Sequence, residues 1–196
     1  VQAVIVNSGI ANACTGAAGY DCCKKTAECA AETLDIPADA VLVASTGVIG
    51  MQIPVEKITA GIEDLARIKS EVREAAGMAA EAIMTTDTAS KEAAVQFEID
   101  GKIVTLGGMC KGSGMIHPNM CTMLGFVTTD AAISKELLQE ALREDVKDTF
   151  NMVSVDGDTS TNDTLLVLAN GMAGNEEIVS KDERYNRFVE ALHIVN

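Results

Sequence analysis

Apolar residues fall into short runs closed by glycine-bearing polar clusters, with longer stretches of small residues between them. Val1 to Val6 predicts a fully buried strand, and Asn7-Ser8-Gly9 predicts the turn that closes it. A helix of small residues follows over roughly Ala17 to Leu34. Past Pro37, Val41 to Ala44 predicts a second buried strand that delivers Ser45-Thr46-Gly47. Pro54 suits the first turn of a helix running to about Ile68. Ser70 predicts the N-cap of the next helix, which ends at the hydroxyl cluster Met84-Thr85-Thr86-Asp87-Thr88.

From Ala93 the period changes to two, with Val95, Phe97 and Ile99 on one face. Asp100-Gly101 then predicts a tight hairpin, with Gly101 at a position that requires positive φ. The return strand, Lys102 to Met109, feeds a charged, flexible loop. Met120 to Val127 predicts a buried strand, with Thr122 where loop becomes strand. Ser134 predicts the N-cap of a helix over Lys135 to Asp148, striped by Leu137, Leu138, Leu142 and Val146. A short strand is expected at Met152 to Val155, a buried strand at Leu165 to Ala169, and a helix from Asp182 onward. Alternating strands and helices place the chain in the α/β class, with layered mixed sheets and helices.

Composition changes this picture in two respects. At 47% apolar but only 3% aromatic, the core must be built from Ala, Val, Ile, Leu and Met. A net charge of −14 argues against partners that are themselves anionic, nucleic acid and membrane surface included. Cys14, Cys22, Cys23, Cys29, Cys110 and Cys121 contain no C-x-x-C, and only His117 and His193 could join them. Free buried thiols in a reducing cytoplasm are the expectation. The loop from Asp156 to Asp163 looks at first like a calcium loop. It lacks glycine at its sixth position and carries Val167 at its twelfth, so no metal is expected. No cofactor is expected either. Val1 opens directly on a strand without an initiator methionine, which is read as a piece of a longer protein.

The chemistry concentrates at Lys111 to Phe126, KGSGMIHPNMCTMLGF. Glycines allow close approach of backbone or ligand, and Lys111 puts charge at the start of a core strand. A threonine hydroxyl needs a base to become a nucleophile, and an N-terminal threonine carries one in its own amine, which titrates near pH ~8. Neither histidine sits in a nucleophile-elbow context, and G-x-S-x-G is absent. Ser45-Thr46-Gly47 at a strand end offers a hydroxyl and a backbone N–H suited to an oxyanion. For Asn12 to Gly16, a tight strand-to-helix turn explains the residues as well as a functional role does.

Lys111 to Met115, Pro118, Met120, Thr122, Met123 and Leu124 resemble the self-cleavage segment of the ornithine acetyltransferase family, KGSGM followed by P-x-M-A-T-M-L. The likeness extends to N-S-G-x-A-N-A-C-T-G near the start, to I-M-T-T-D-T and to V-D-G-D-T-S-T-N-D-T. Two departures stand out: Cys121 where the family has alanine, and Ile10 where it has asparagine. The resemblance implies an α/β fold of the ornithine acetyltransferase/aminopeptidase-like, N-terminal-nucleophile type. It implies cleavage between Cys121 and Thr122, leaving residues 1–121 as the C-terminal part of an α subunit and 122–196 as the N-terminal part of a β subunit in an α2β2 tetramer.

It also implies acetyl transfer from N2-acetylornithine to glutamate in arginine biosynthesis, without cofactor or metal and with acetyl-CoA left open as a further donor. Thr122 would be the nucleophile, Thr46 and Gly47 the oxyanion hole, and Thr85 and Lys111 substrate-binding residues. Family members continue past both ends of this sequence, with further substrate-binding residues beyond Asn196. Two alternatives stay open: a hydrolase on the same threonine, with water as acyl acceptor, and a non-catalytic domain whose glycine loops hold an anionic metabolite.

Overall fold

The computed structural model describes residues 1–116 and 123–196. The chain divides into two compact units, Val1–Ser90 and Lys91–Asn196.

In the first unit, β1 (Ala3–Ile10) and β2 (Val41–Val48) pair in parallel, Ala3 opposite Val41 through Ile10 opposite Val48. α1 (Gly16–Leu34) makes the crossover between them. Asp35 caps α1 in the left-handed conformation at φ 55°, its N–H donating to the Ala31 carbonyl. α2 (Val55–Ile68) packs on α1, and α3 (Arg73–Ala82) follows. Ala30, Ala31, Val41 and Ile62 form the small core, with Ala3, Ile5 and Ile58 against it.

Three local expectations are corrected here. Asn7-Ser8-Gly9 is no turn but the last part of β1, held in register by Ser45, Thr46 and Gly47 of β2. β1 is half-buried rather than fully buried. Ser70 is not the cap of α3. Its Oγ accepts from the Val72 N–H at 3.4 Å, a local turn that delays the helix to Arg73.

In the second unit, β3 (Lys91–Ile99), β4 (Lys102–Lys111), β5 (Leu124–Thr129) and β6 (Thr164–Ala169) form one sheet in that order. The first two pairings are antiparallel and β5–β6 is parallel, so the sheet is mixed. Asp100 and Gly101 make the hairpin, both at positive φ (52° and 73°). α4 (Lys135–Asp148) begins as expected, with Ser134 Oγ accepting from the Leu137 N–H. α5 (Glu183–Val195) packs against β3 and β4. The core gathers Ile99, Val104, Leu106, Val127, Ile133, Ile178, Phe188 and Leu192, and Phe97 meets Phe188 edge-on at 6.4 Å.

Two strand expectations change in this unit. Residues 152–155 form no strand, because Phe150–Met152 closes as a 3-10 turn and Val155 N–H donates to the Ile116 carbonyl. β6 is half-buried throughout. Cys14, Cys22, Cys23, Cys29 and Cys110 are outside disulfides, and, contrary to expectation, none is buried: Cys14 is exposed and the rest are partly exposed. Among the described residues no helix is long and apolar enough to cross a membrane.

Candidate active site

Hairpin geometry carries Lys111 to the end of β4, opposite Leu124 at the start of β5. Strand and sheet cover it so completely that the side chain is only 2% exposed. A buried ammonium is costly unless it is answered by hydrogen bonds or opposite charge, which marks this position as more than packing. Beside it opens a cavity of about 260 Å³, bounded by Lys91, Lys111, Ile116, Met123, Phe150 and Val153. Pockets for drug-sized ligands run about 300–1,000 Å³, so this one is of a size for a smaller metabolite, with Phe150 and Val153 as apolar parts of its wall.

Ile116 and Met123 flank the stretch that holds the expected nucleophile. Thr122 itself, with Cys121, Pro118 and Met120, lies outside the described residues.

Sequence reasoning missed what holds those flanks. Met115 adopts φ 57°, a left-handed conformation uncommon for a residue with a side chain. There its N–H and that of Ile116 both point at Asp156, at 2.6 and 2.8 Å. Successive amides converging on one anion form a nest, and here the anion is a side chain forty residues on. These two N–H groups, Met115 first, hold the Asp156 carboxyl below its ordinary value. On the other flank, Asp163 Oδ1 accepts from the Met123 N–H at 3.2 Å. Burial pushes the Asp163 carboxyl up, against hydrogen bonds from Met123 and from the Ser160 hydroxyl. Two carboxylates of the loop 156–163, Asp156 and Asp163, are thus taken up by backbone N–H groups of the two flanks. Among the described residues no group of three or more His, Cys, Asp or Glu could hold a metal ion.

Thr46, Gly47 and Thr85 belong to the first unit. β2 does not end at Ser45-Thr46-Gly47 but runs through it to Val48, because β-branched Thr46 and Val48 pair onward with Ser8 and Ile10. Thr46 is completely buried rather than displayed at an edge. Gly47 has φ 131°, and a Cβ there would collide with the Gly9 carbonyl group, so the two strands approach at a point only glycine permits. Beyond the strands, Ala11 N–H donates to the Val48 carbonyl and Gly50 N–H to the Ala13 carbonyl, each at 3.0 Å. The Asn12-to-Gly16 loop is thus tied to the loop after β2. Asn7 Nδ2 donates to the Ile10 carbonyl at 2.8 Å, so position 10 contributes through its backbone, which isoleucine supplies. Thr85 follows α3, its N–H donating to Asp87 Oδ2 at 3.3 Å.

The ArgJ family model matches residues 1–196. The chain belongs to the ArgJ family. Its relatives in that family include the arginine biosynthesis bifunctional protein ArgJ of Symbiobacterium thermophilum, 55% identical over 195 residues. The ArgJ of Thermotoga neapolitana is 50% identical over 196 residues. Both alignments take in 100% of this chain but 48% and 49% of the relatives, so the chain spans about half their length.

Solved ArgJ-type structures share the fold. The crystal structure of arginine biosynthesis bifunctional protein ArgJ from Bacillus halodurans aligns with TM-score 0.56 and 49% identity, covering 62% of this chain and 61% of that one. Ornithine acetyltransferase from Mycobacterium tuberculosis, solved in complex with ornithine, aligns with TM-score 0.52 and 38% identity, covering 59% and 61%. The α/β architecture with a mixed sheet is that of the ArgJ structures.

Proposed function

We propose that the protein carrying this sequence transfers the acetyl group of N2-acetylornithine to glutamate, in arginine biosynthesis, through an acetyl ester on Thr122. The observation that carries this reading is the buried Lys111 at the rim of a metabolite-sized cavity whose wall includes Met123, the residue after that threonine, in a chain of the ArgJ family.

Scission comes first. Thr122 Oγ attacks the Cys121 carbonyl carbon, its proton passes to the amide nitrogen, and the C–N bond breaks to leave an ester. Water hydrolyses that ester, giving a Cys121 carboxylate and a free Thr122 amine. Residues 1–121 then belong to an α chain and 122–196 to a β chain, in an α2β2 assembly. In the second stage the freed amine removes the Oγ proton as Oγ attacks the acetyl carbonyl. Thr46 Oγ and the Gly47 N–H donate to the oxyanion, worth about 2.7–4 kcal/mol for one such donor in a water-free site. Collapse expels ornithine, whose amine takes the proton, and the amine of glutamate attacks the ester to regenerate Thr122. Lys111 binds a substrate carboxylate, and Thr85 contributes to substrate binding. Neither metal nor cofactor takes part in these steps. An acidic surface and free thiols suit the cytoplasm.

Intact mass of the full-length purified protein, with N-terminal sequencing of its fragments, tests the reading. A fragment beginning Thr122-Met123-Leu124 is expected, and Thr122→Ala should abolish it. A Thr122→Ala protein that is still cut there would sink the nucleophile assignment. A chain that is cut but hands the acetyl group only to water would be a hydrolase instead.

A further inference from the structure

The two ends of the stretch from Met115 to Met123 are gripped by one loop. Asp156 takes the N–H groups of Met115 and Ile116, and Asp163, seven residues later, takes that of Met123. The loop has few other duties for these carboxylates: Asp156 Oδ1 accepts from the Asp158 N–H at 3.3 Å, and the Ser160 hydroxyl steadies Asp163. Immediately after Asp163 the chain enters β6, where Thr164 pairs with Leu124, so the second grip is continuous with the sheet. Two further bonds tie the same parts together, Val155 N–H to the Ile116 carbonyl at 2.8 Å and Thr164 N–H to the Met123 carbonyl at 3.0 Å.

We infer that Asp156 and Asp163 are positioning residues for chain scission, which hold the N–H groups of Met115 and Ile116 ahead of the bond that Thr122 attacks and that of Met123 just after it. The inference rests on the acyl-transfer reading given above. An intramolecular attack on the preceding carbonyl is sensitive to orientation, and a misplacement of about 1 Å can slow a reaction about a hundredfold. Left-handed Met115 supports a positioning role. Such a conformation persists only where its surroundings impose it, and the Asp156 carboxylate is what its N–H and the next one meet. Asp163 holds rather than abstracts: its carboxylate accepts from both Met123 and Ser160. Asparagine at this position would keep an oxygen acceptor for Met123 while removing the charge.

The test follows the rate of precursor conversion by intact mass in freshly purified full-length protein. Wild type is compared with Asp163→Ala, Asp163→Asn and Asp156→Ala, with a thermal melt of each uncut precursor alongside. Loss of the acceptor in Asp163→Ala is expected to slow scission at least about tenfold, and Asp163→Asn should restore it to near the wild-type rate. Asp156→Ala is expected to slow scission as well, with the melting temperature of the uncut chain little changed. Equal rates in Asp163→Ala and wild type overturn the inference alone. So does an Asp163→Asn protein as slow as Asp163→Ala. Should either alanine variant fail to fold, Asp163→Asn and Ser160→Ala carry the comparison, and wild-type folding with a lost rate in Asp163→Asn counts against it. A wild-type chain that is never cut overturns the acyl-transfer reading and takes this inference with it.

Discussion

At Gly47 a single hydrogen in place of a methyl decides how closely two strands can run. The residue combines φ 131° with direct approach to the Gly9 carbonyl. Gly50, a few residues on, also has positive φ (83°) but open space where a Cβ would go. Gly50→Ala should therefore bear only the backbone penalty of about 1–3 kcal/mol, whereas Gly47→Ala adds a collision that parts β1 from β2. Thermal unfolding of the two variants checks this, and equal losses would show that the Gly9 contact is not what constrains the position. At this scale the sequence was readable where chemistry is local: Asp100-Gly101 as a two-residue hairpin, and Ser134 as a cap. Asp156 and Asp163 were not readable as grips. Their partners lie forty residues away, and nothing in a run of Asp, Gly, Thr and Ser says which backbone amides it will meet.

Among the elements, α5 shows how a cap becomes a pH-dependent fastening. Asp182 Oδ1 accepts from the N–H groups of Arg184 and Tyr185 at 2.9 and 3.3 Å, while Oδ2 accepts from the Arg184 guanidinium at 2.7 Å. That guanidinium, ahead of the helix-end amides, lowers the carboxyl from its ordinary 3.8 to about 2. Because the folded value is depressed, the stabilisation is complete above the ordinary value and is lost as pH falls through about 2. Acid titration of Asp182 by NMR, with melting followed from about pH 5 down to about pH 2, should show this loss. In Asp182→Asn that component should be missing, since asparagine caps a helix but does not ionise. Periodicity located α4 well because a cap residue, Ser134, precedes its apolar stripe, and the helix expected from Asp182 onward is α5, which Asp182 caps. It failed at Met152 to Val155, where apolar residues alternate but a 3-10 turn intervenes and no neighbouring strand is in register.

The whole molecule has two cores of unequal substance. That of the second unit is large, and Phe188 at its centre has no exposed surface. Phe188→Ala should cost about 3–5 kcal/mol, seen as a lower denaturation midpoint with an unchanged urea dependence. A loss under about 1 kcal/mol would mean that the cavity collapses around Leu192 and Ile178. The α/β class was legible from alternating strand and helix patterns, and an aliphatic core from the scarcity of aromatic residues. The division at Ser90 was not, because residues 84–90 carry no long Gly- or Pro-rich linker and read as one more polar turn.

The order of strands in the second unit has a bearing on what scission produces. β4 lies before the expected cut and β5 after it, yet the two are hydrogen-bonded from Leu106–Thr129 to Lys111–Leu124. The Asp156 grip on Met115 and Ile116 likewise joins the early part of the chain to the late part. A break between Cys121 and Thr122 therefore falls inside one sheet and not between the two units. If the proposed cut is made, its product would be a nicked protein: two polypeptides joined through the β4–β5 pairing, expected to travel as one particle under native conditions and to separate only when the sheet is denatured.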